Sequence, residues 1–296
     1  MTVILPENHH LKESLESQRI ACMTRTVAEK QDIRPLRIGI LNIMPNLEAY
    51  EFNLLSPLGH SLLQVEPIWI KLKSHSYSSS NQEHLDKLYV TYEEAAKQGL
   101  DGLIVTGAPV GKLPFEDIRY WDEISAIFED ARTNIISTLG ICWGGIALAQ
   151  ALGLTRTFYS PKLFGVFKGH NLNRQHPITG DMDDYFDCPQ SRYSRFEDPI
   201  MEAKAKEGVI NLLAHEPQAG YFLFESFDSR FLMHLGHPEY NSGRLIDEAA
   251  RDAQTENADV LPPINFDIDQ PVNTWRCHRN EFFQSWIKYL YLQNAY

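Results

Sequence analysis

Between residues 36 and 152 the chain alternates apolar runs with segments of helical spacing, and few folds tolerate that pattern. Residues 36–43 (LRIGILNI), 102–106 (GLIVT) and 135–141 are apolar at nearly every position, as strands covered on both faces must be. Residues 62–72 give a further strand pattern, with Val65, Ile68 and Ile70. Helical stretches follow at 48–56, 92–97, 115–132 and 143–152. In the third of these Ile118, Trp121, Ile124, Ile127 and Phe128 fall on one face. Strand followed by helix, repeated, predicts an α/β fold: a mostly parallel, doubly wound sheet with helices on both faces.

The rest of the chain is mixed. Strands are expected at 163–167, 209–213, 221–224 and 231–235, and helices at 242–254 and 281–292. Residues 255–274 read as an ordered surface loop. Residues 74–82 (SHSYSSSNQ) read as a polar loop suited to a mobile active-site segment. The first 34 residues are polar, with a helical stretch near 11–20, and form an arm packed on the body or on a partner subunit. The expected division is an arm at 1–35 and a single α/β domain at 36–296.

Charge and cysteine usage narrow the function. The net charge of −12 disfavours binding to a phosphate backbone. No run of 18 apolar residues is present, so no membrane span is expected, and the N-terminus lacks the pattern of a signal peptide. The four cysteines, Cys22, Cys142, Cys188 and Cys277, are far apart, which fits a reducing cytoplasm.

The segment Gly140-Ile141-Cys142-Trp143-Gly144-Gly145 carries the chemistry. It is G-x-C-x-G between an apolar strand and a helix, the cysteine form of a nucleophile elbow. A helix N-terminus beside the thiol favours the thiolate, the reactive form. A proton carrier is expected from Gly236-His237-Pro238-Glu239, where Glu239 is close enough in sequence to hold the His237 imidazole. His170 and His215 are the alternatives. An oxyanion would be met by the Trp143 N–H and by a donor from the loop Gly107-Ala108-Pro109-Val110-Gly111, where Ala108, Val110 or Gly111 could serve and Pro109 could not. Among 11 histidines only His234-x-x-His237 has ligand-like spacing, and residues three apart on a strand face opposite ways, so no metal is expected. No phosphate-binding glycine motif is present.

Taken together, the elbow, the His237-Pro238-Glu239 segment and the alternating sheet resemble the class I glutamine amidotransferase-like fold, a flavodoxin-like arrangement. More closely, the chain resembles the homoserine O-acyltransferases, or homoserine transsuccinylases, from about residue 20 to its end. The matching segments include 34–45 (RPLRIGILNIMP), 101–109 (DGLIVTGAP), 137–144, 162–167 (KLFGVF), Ser191-Arg192-Tyr193, 236–240 (GHPEY) and 273–293. The resemblance implies Cys142 as acyl-thioester nucleophile, His237 as proton acceptor and Glu239 as its partner. It implies substrate contacts from Lys162, Ser191 and Arg251, and Arg251 also suits a carboxylate clamp on chemical grounds. It ties Gly111 to the acyl donor, glycine going with succinyl-CoA and glutamate with acetyl-CoA. Acyl-CoA would be a co-substrate, with no bound cofactor, and the enzyme a cytoplasmic homodimer acting on small molecules.

The chain departs from the family pattern at Leu47, where a lysine is usual, and at Cys277-His278-Arg279-Asn280, where small residues are usual. Those departures bear on the acceptor. The leading reading is acyl transfer to L-homoserine, feeding methionine synthesis. The rivals are acetyl transfer to L-serine, feeding cysteine synthesis, a glutamine amidase or peptidase on the same scaffold, and a non-catalytic binding module.

Overall fold

The computed structural model describes residues 2–31, 34–254 and 259–294. In chain order the first elements are β1 (Thr2–Ile4), α1 (Lys12–Ser17), β2 (Ala21–Met23), α2 (Arg25–Ala28), β3 (Leu36–Leu41), α3 (Leu47–Gly59) and β4 (Gln64–Ile70). Next come α4 (Gln82–Leu88), α5 (Tyr92–Ala96), β5 (Gly102–Val105), α6 (Trp121–Asn134), β6 (Ser137–Ile141) and α7 (Trp143–Ala151). The chain continues through β7 (Thr157–Asn171), β8 (Tyr185–Arg195), α8 (Asp198–Lys206), β9 (Ile210–Glu216), β10 (Gly220–Ser226), β11 (Phe231–His234), α9 (Ser242–Ala253) and α10 (Arg276–Asn294).

Among the described residues the strands form one sheet in the order β2-β1-β4-β3-β5-β6-β11-β10-β9-β7-β8. From β2 to β11 every neighbouring pair is parallel, as the alternating sequence requires. Beyond β11 the pairs are antiparallel, because the connections there are too short to cross over. The chain steps one way from β3 to β4 and the other way from β3 to β5. Right-handed crossovers therefore put α3 on one face and α6 on the opposite one. Buried Leu36, Ile38, Leu103, Ile104 and Leu139 fill the centre of the sheet.

Three differences from the sequence expectations have local causes. The N-terminal segment, expected to be polar and helical, also holds β1 and β2, whose Val3 and Ile4 are buried at the sheet edge. Its charged neighbours mask so short an apolar run. The strand expected at 163–167 is the centre of a much longer one, β7, paired with β8, which was not expected at all. Lysine, arginine and aspartate on the open stretches of this hairpin hide the alternation. The loop at 74–82 is tethered, since the Ser79 and Ser80 hydroxyls accept the N–H groups of Asn46 and Leu47 and the Tyr77 hydroxyl accepts that of Leu72. Asn81 then caps α4, another unexpected element. Part of the loop expected at 255–274, namely 255–258, lies outside the described residues.

Register brings the strand ends level. Leu41 pairs with Val105, Val105 with Gly140, and Ile141 with His234. The loops after β3, β5, β6 and β11 thus open on one edge, where a doubly wound sheet builds its sites. Helix α7 lies against that edge and is buried from Trp143 to Ala149. Its approach is set by glycine. A Cβ on Gly144 would sit 2.2 Å from the Val105 carbonyl oxygen, and one on Gly140 would sit 2.6 Å from the Gly144 carbonyl. Both contacts are with backbone, which cannot step aside cheaply. Gly144→Ala should therefore lower stability by about 1–3 kcal/mol or more, read as a fall in the denaturation midpoint. An unchanged midpoint would mean that the helix can move away from the sheet.

Candidate active site

Cys142 occupies the turn between β6 and α7 with φ 52° and ψ −113°, a conformation that side-chain-bearing residues rarely hold. Its N–H donates to the His234 carbonyl across 2.8 Å, so the ladder between β6 and β11 runs one residue past the strands. The backbone then turns sharply into the helix. The thiol sits at the N-terminal end of α7, nine-tenths buried, with Sγ 3.8 Å from the Ser191 carbonyl oxygen.

His237 lies three residues past the end of β11, so the Cys142–His234 bond also sets its place beside the elbow. The imidazole Nδ1 is 2.7 Å from Glu239 Oε1, and both side chains are buried. The Tyr50 hydroxyl, from α3, donates to the same carboxylate oxygen. The His237 ring stacks on Tyr240 at 4.1 Å, and the Trp275 indole N–H donates to the Tyr240 carbonyl at 2.7 Å. The His237 N–H donates to the Pro189 carbonyl. Little freedom remains in residues 237–240. Burial works against a charged imidazole, but the negative charge of the Cys142 sulfur and of Glu239, with hydrogen bonds to both, outweighs it. His237 is pushed up to about 10. The arrangement favours the imidazolium form of His237.

The loop after β5 faces the sulfur. A Cβ on Gly107 would lie 3.7 Å from both Cys142 Cβ and His237 Cε1, so this loop packs directly on the pair. As the first residue of α7, Trp143 has an N–H that no carbonyl of its helix can reach. Ala108 lines the same cavity, as does Gly111, whose added Cβ would meet nothing within 4 Å. Val110 does not line the cavity but packs its side chain against the core.

The cavity encloses about 520 Å³. Its wall also carries a polar cluster, where Lys162, Ser191 and Arg251 meet on a residue that the sequence did not single out, Glu248. Lys162 Nζ is 3.1 Å from Glu248 Oε1 and 2.6 Å from Asp252 Oδ2. The Ser191 hydroxyl and one Arg251 nitrogen donate to the same Glu248 oxygen. Burial favours the neutral acid, yet Lys162, His237, Ser191 and Arg251 hold the Glu248 carboxyl down to about 2. The Arg251 guanidinium, expected as a free clamp, is already hydrogen-bonded to Glu248 and Asp252, though half of its side chain remains exposed. Glu248 stands one helical turn before Arg251, and that spacing was the available signal. Tyr50 offered none.

The other histidines lie elsewhere. His170 and His215 pair in register between β7 and β9 and do not line the cavity. His234 is buried with Nε2 3.9 Å from the Cys188 sulfur and is lowered to about 3 by burial and by His237. His9, His10 and Glu51 bring ligand-type atoms within 4.8 Å of one another. However, His9 Nδ1 accepts the Leu11 N–H, which leaves the proton on Nε2, while His10 and His84 both pair with Glu51. This group ties the N-terminal segment to α3 and α4.

Comparison with known proteins adds to this geometry. Residues 2–296 match the family described as homoserine O-succinyltransferase. The homoserine O-acetyltransferase of Petrotoga mobilis is 36% identical, covering 100% of this chain and 97% of its own. That of Geobacillus kaustophilus is 37% identical, covering 100% and 98%. A glutamine amidotransferase structure from Thermotoga maritima covers 87% of this chain and 99% of its own, with a TM-score of 0.58 and 11% identity. At that identity the likeness speaks for the fold alone, a class I glutamine amidotransferase-like one.

The electrostatics give a direct test. In Cys142→Ala the negative sulfur is gone, so the His237 ring should titrate well below the wild-type position, and Glu239→Gln should move it the same way. NMR of the ring protons against pH reads both shifts. If neither variant moved the His237 titration, the ion-pair reading would be wrong.

Proposed function

The chain belongs to the homoserine O-succinyltransferase family and is an O-acyltransferase, and on that premise we propose that it carries an acyl group from acyl-CoA, through a Cys142 thioester, to the hydroxyl of L-homoserine. The observation that carries the reading is one cavity lined by Cys142 and His237, with Glu239 buried behind the imidazole, and by Glu248 and Arg251.

The Cys142 thiolate attacks the thioester carbonyl. The oxyanion so formed is met by the Trp143 and Ala108 N–H groups. Collapse expels the CoA thiolate, which takes the proton from the His237 imidazolium. The acceptor hydroxyl then gives its proton to the neutral imidazole and attacks the enzyme thioester. A second collapse releases the acylated product and restores thiolate and imidazolium, so the cycle closes without a net proton. Glu239 holds the Nδ1 proton throughout and keeps the working nitrogen facing the sulfur. Tyr50 positions Glu239.

In the polar cluster, Glu248 lines the cavity and its carboxyl is held ionised, which suits the acceptor ammonium. Arg251, half exposed, suits the acceptor carboxylate. The open space at Gly111 supports a bulky acyl group, hence succinyl-CoA. The product would enter methionine synthesis. L-serine is one methylene shorter, and with both ends of the acceptor fixed its hydroxyl falls short of the thioester.

Succinyl-CoA without acceptor should add one succinyl mass to the protein, and Cys142→Ala should lose both the adduct and turnover. His237→Ala should slow turnover by about 10²–10⁴. Gly111→Glu should reject succinyl-CoA by bulk and like charge while sparing acetyl-CoA. A kcat/KM for L-serine above that for L-homoserine would overturn the acceptor, and ammonia release from glutamine without acyl transfer would overturn the reaction.

A further inference from the structure

A second cavity, of about 660 Å³, lies behind the triad, between α3, the start of α9 and the first turns of α10. It shares no lining residue with the acyl cavity. Arg19, Arg276 and Arg279 line it, and no carboxylate does. Several arginines elsewhere find carboxylates, Arg25 and Arg37 with Glu66, Arg34 with Asp101, Arg132 with Asp228, while the buried Arg192 is spent on Gln190 and two backbone carbonyls. In a chain of net charge −12 a cavity with three cations and no acid stands out.

Arg279 is the sharpest feature. It is 7% exposed, and its Nε donates to Asn280 Oδ1 at 3.1 Å. The remaining guanidinium nitrogens have no partner among the described residues. The Glu239 carboxylate favours its charge from behind the wall, but no acid meets it inside the cavity, and a charge so enclosed is costly without a ligand to match. Burial and the neighbouring Arg276 push its guanidinium down to about 10, which still leaves it charged at neutral pH. His60, also in the wall, is lowered by burial and by Arg279, so it stays uncharged and able to donate.

Three of the amides in the wall are turned the same way, while the buried Asn53 Oδ1 has no partner among the described residues. Asn241 Oδ1 caps α9 by accepting the Arg244 N–H, Asn273 Oδ1 accepts the Trp275 N–H, and Asn280 Oδ1 accepts from Arg279. Their carbonyls are thus occupied, and their NH2 groups remain for a ligand. A wall with three guanidinium groups and several amide donors is matched by a compact, doubly charged oxyanion.

We propose that this cavity is a binding site for a phosphate-class dianion, separate from the acyl-transfer site and held by Arg279, Arg276 and Arg19. Two sources share that chemistry: free inorganic phosphate, and the 3′-phosphate of a CoA molecule.

The test uses the full-length protein at constant ionic strength, with chloride as the balancing salt. Inorganic phosphate should bind saturably by calorimetry and raise the thermal midpoint. Arg279→Leu should abolish that rise. Arg276→Ala, at an exposed position that costs little to the fold, should weaken phosphate binding by about tenfold or more. Displacement of phosphate by CoA but not by dephospho-CoA would identify the coenzyme's phosphate as the source, and displacement by neither would identify the free ion. Absence of saturable binding, or equal binding in wild type, Arg279→Leu and Arg276→Ala, would overturn the proposal.

Discussion

The Cys142 N–H bonds to the His234 carbonyl at 2.8 Å, and the active edge depends on that contact. It joins the turn after β6 to the end of β11 and so fixes how far the sulfur can stand from residues 237–240. The bond forms only because α7 starts immediately and lies close against β5 and β6, which in turn needs hydrogen rather than a side chain at Gly140 and Gly144. The strained dihedrals at Cys142 follow from the same packing. Backbone geometry decides the site before any side-chain chemistry enters.

Burial then acts on each ionisable group alike, and the neighbours decide the outcome. His234 and His237 are both fully enclosed, three residues apart. His234 faces a neutral thiol and two phenyl rings and is driven down to about 3. His237 faces two negative groups and is driven up to about 10. Glu248 is as enclosed as either, yet it stays ionised because Lys162 and Arg251 crowd it. A polar cluster held together by internal ion pairs is already arranged without any ligand.

The elbow and the 237–239 segment were legible in the sequence because their chemistry depends on local spacing: small residues flanking a cysteine, and a carboxylate two positions from a histidine. The central strands were legible because burial on both faces leaves continuous apolar runs. What escaped was long-range or mixed in character. Tyr50 reaches Glu239 across 189 positions, and no local pattern encodes that meeting. Glu248 looked like one more acid on an amphipathic helix. Strand β8 buries polar residues, Gln190, Ser191 and Arg192, beside a proline and so reads as a loop, while β1 and β2 are too short to register. Val110 was named for its backbone N–H, and the packing of its side chain against the core does not bear on that role.

The sheet order has a consequence for synthesis. Strand β6 is made early, yet its neighbour β11 is translated only after β7, β8, β9 and β10. Until then a flat apolar strand that carries a thiol stands as an open edge of a half-built sheet, able to pair with another nascent chain. The same delay keeps the thiol without its imidazole, so reactivity switches on only when β11 closes the gap. Slower elongation across β7–β10 would lengthen the exposure.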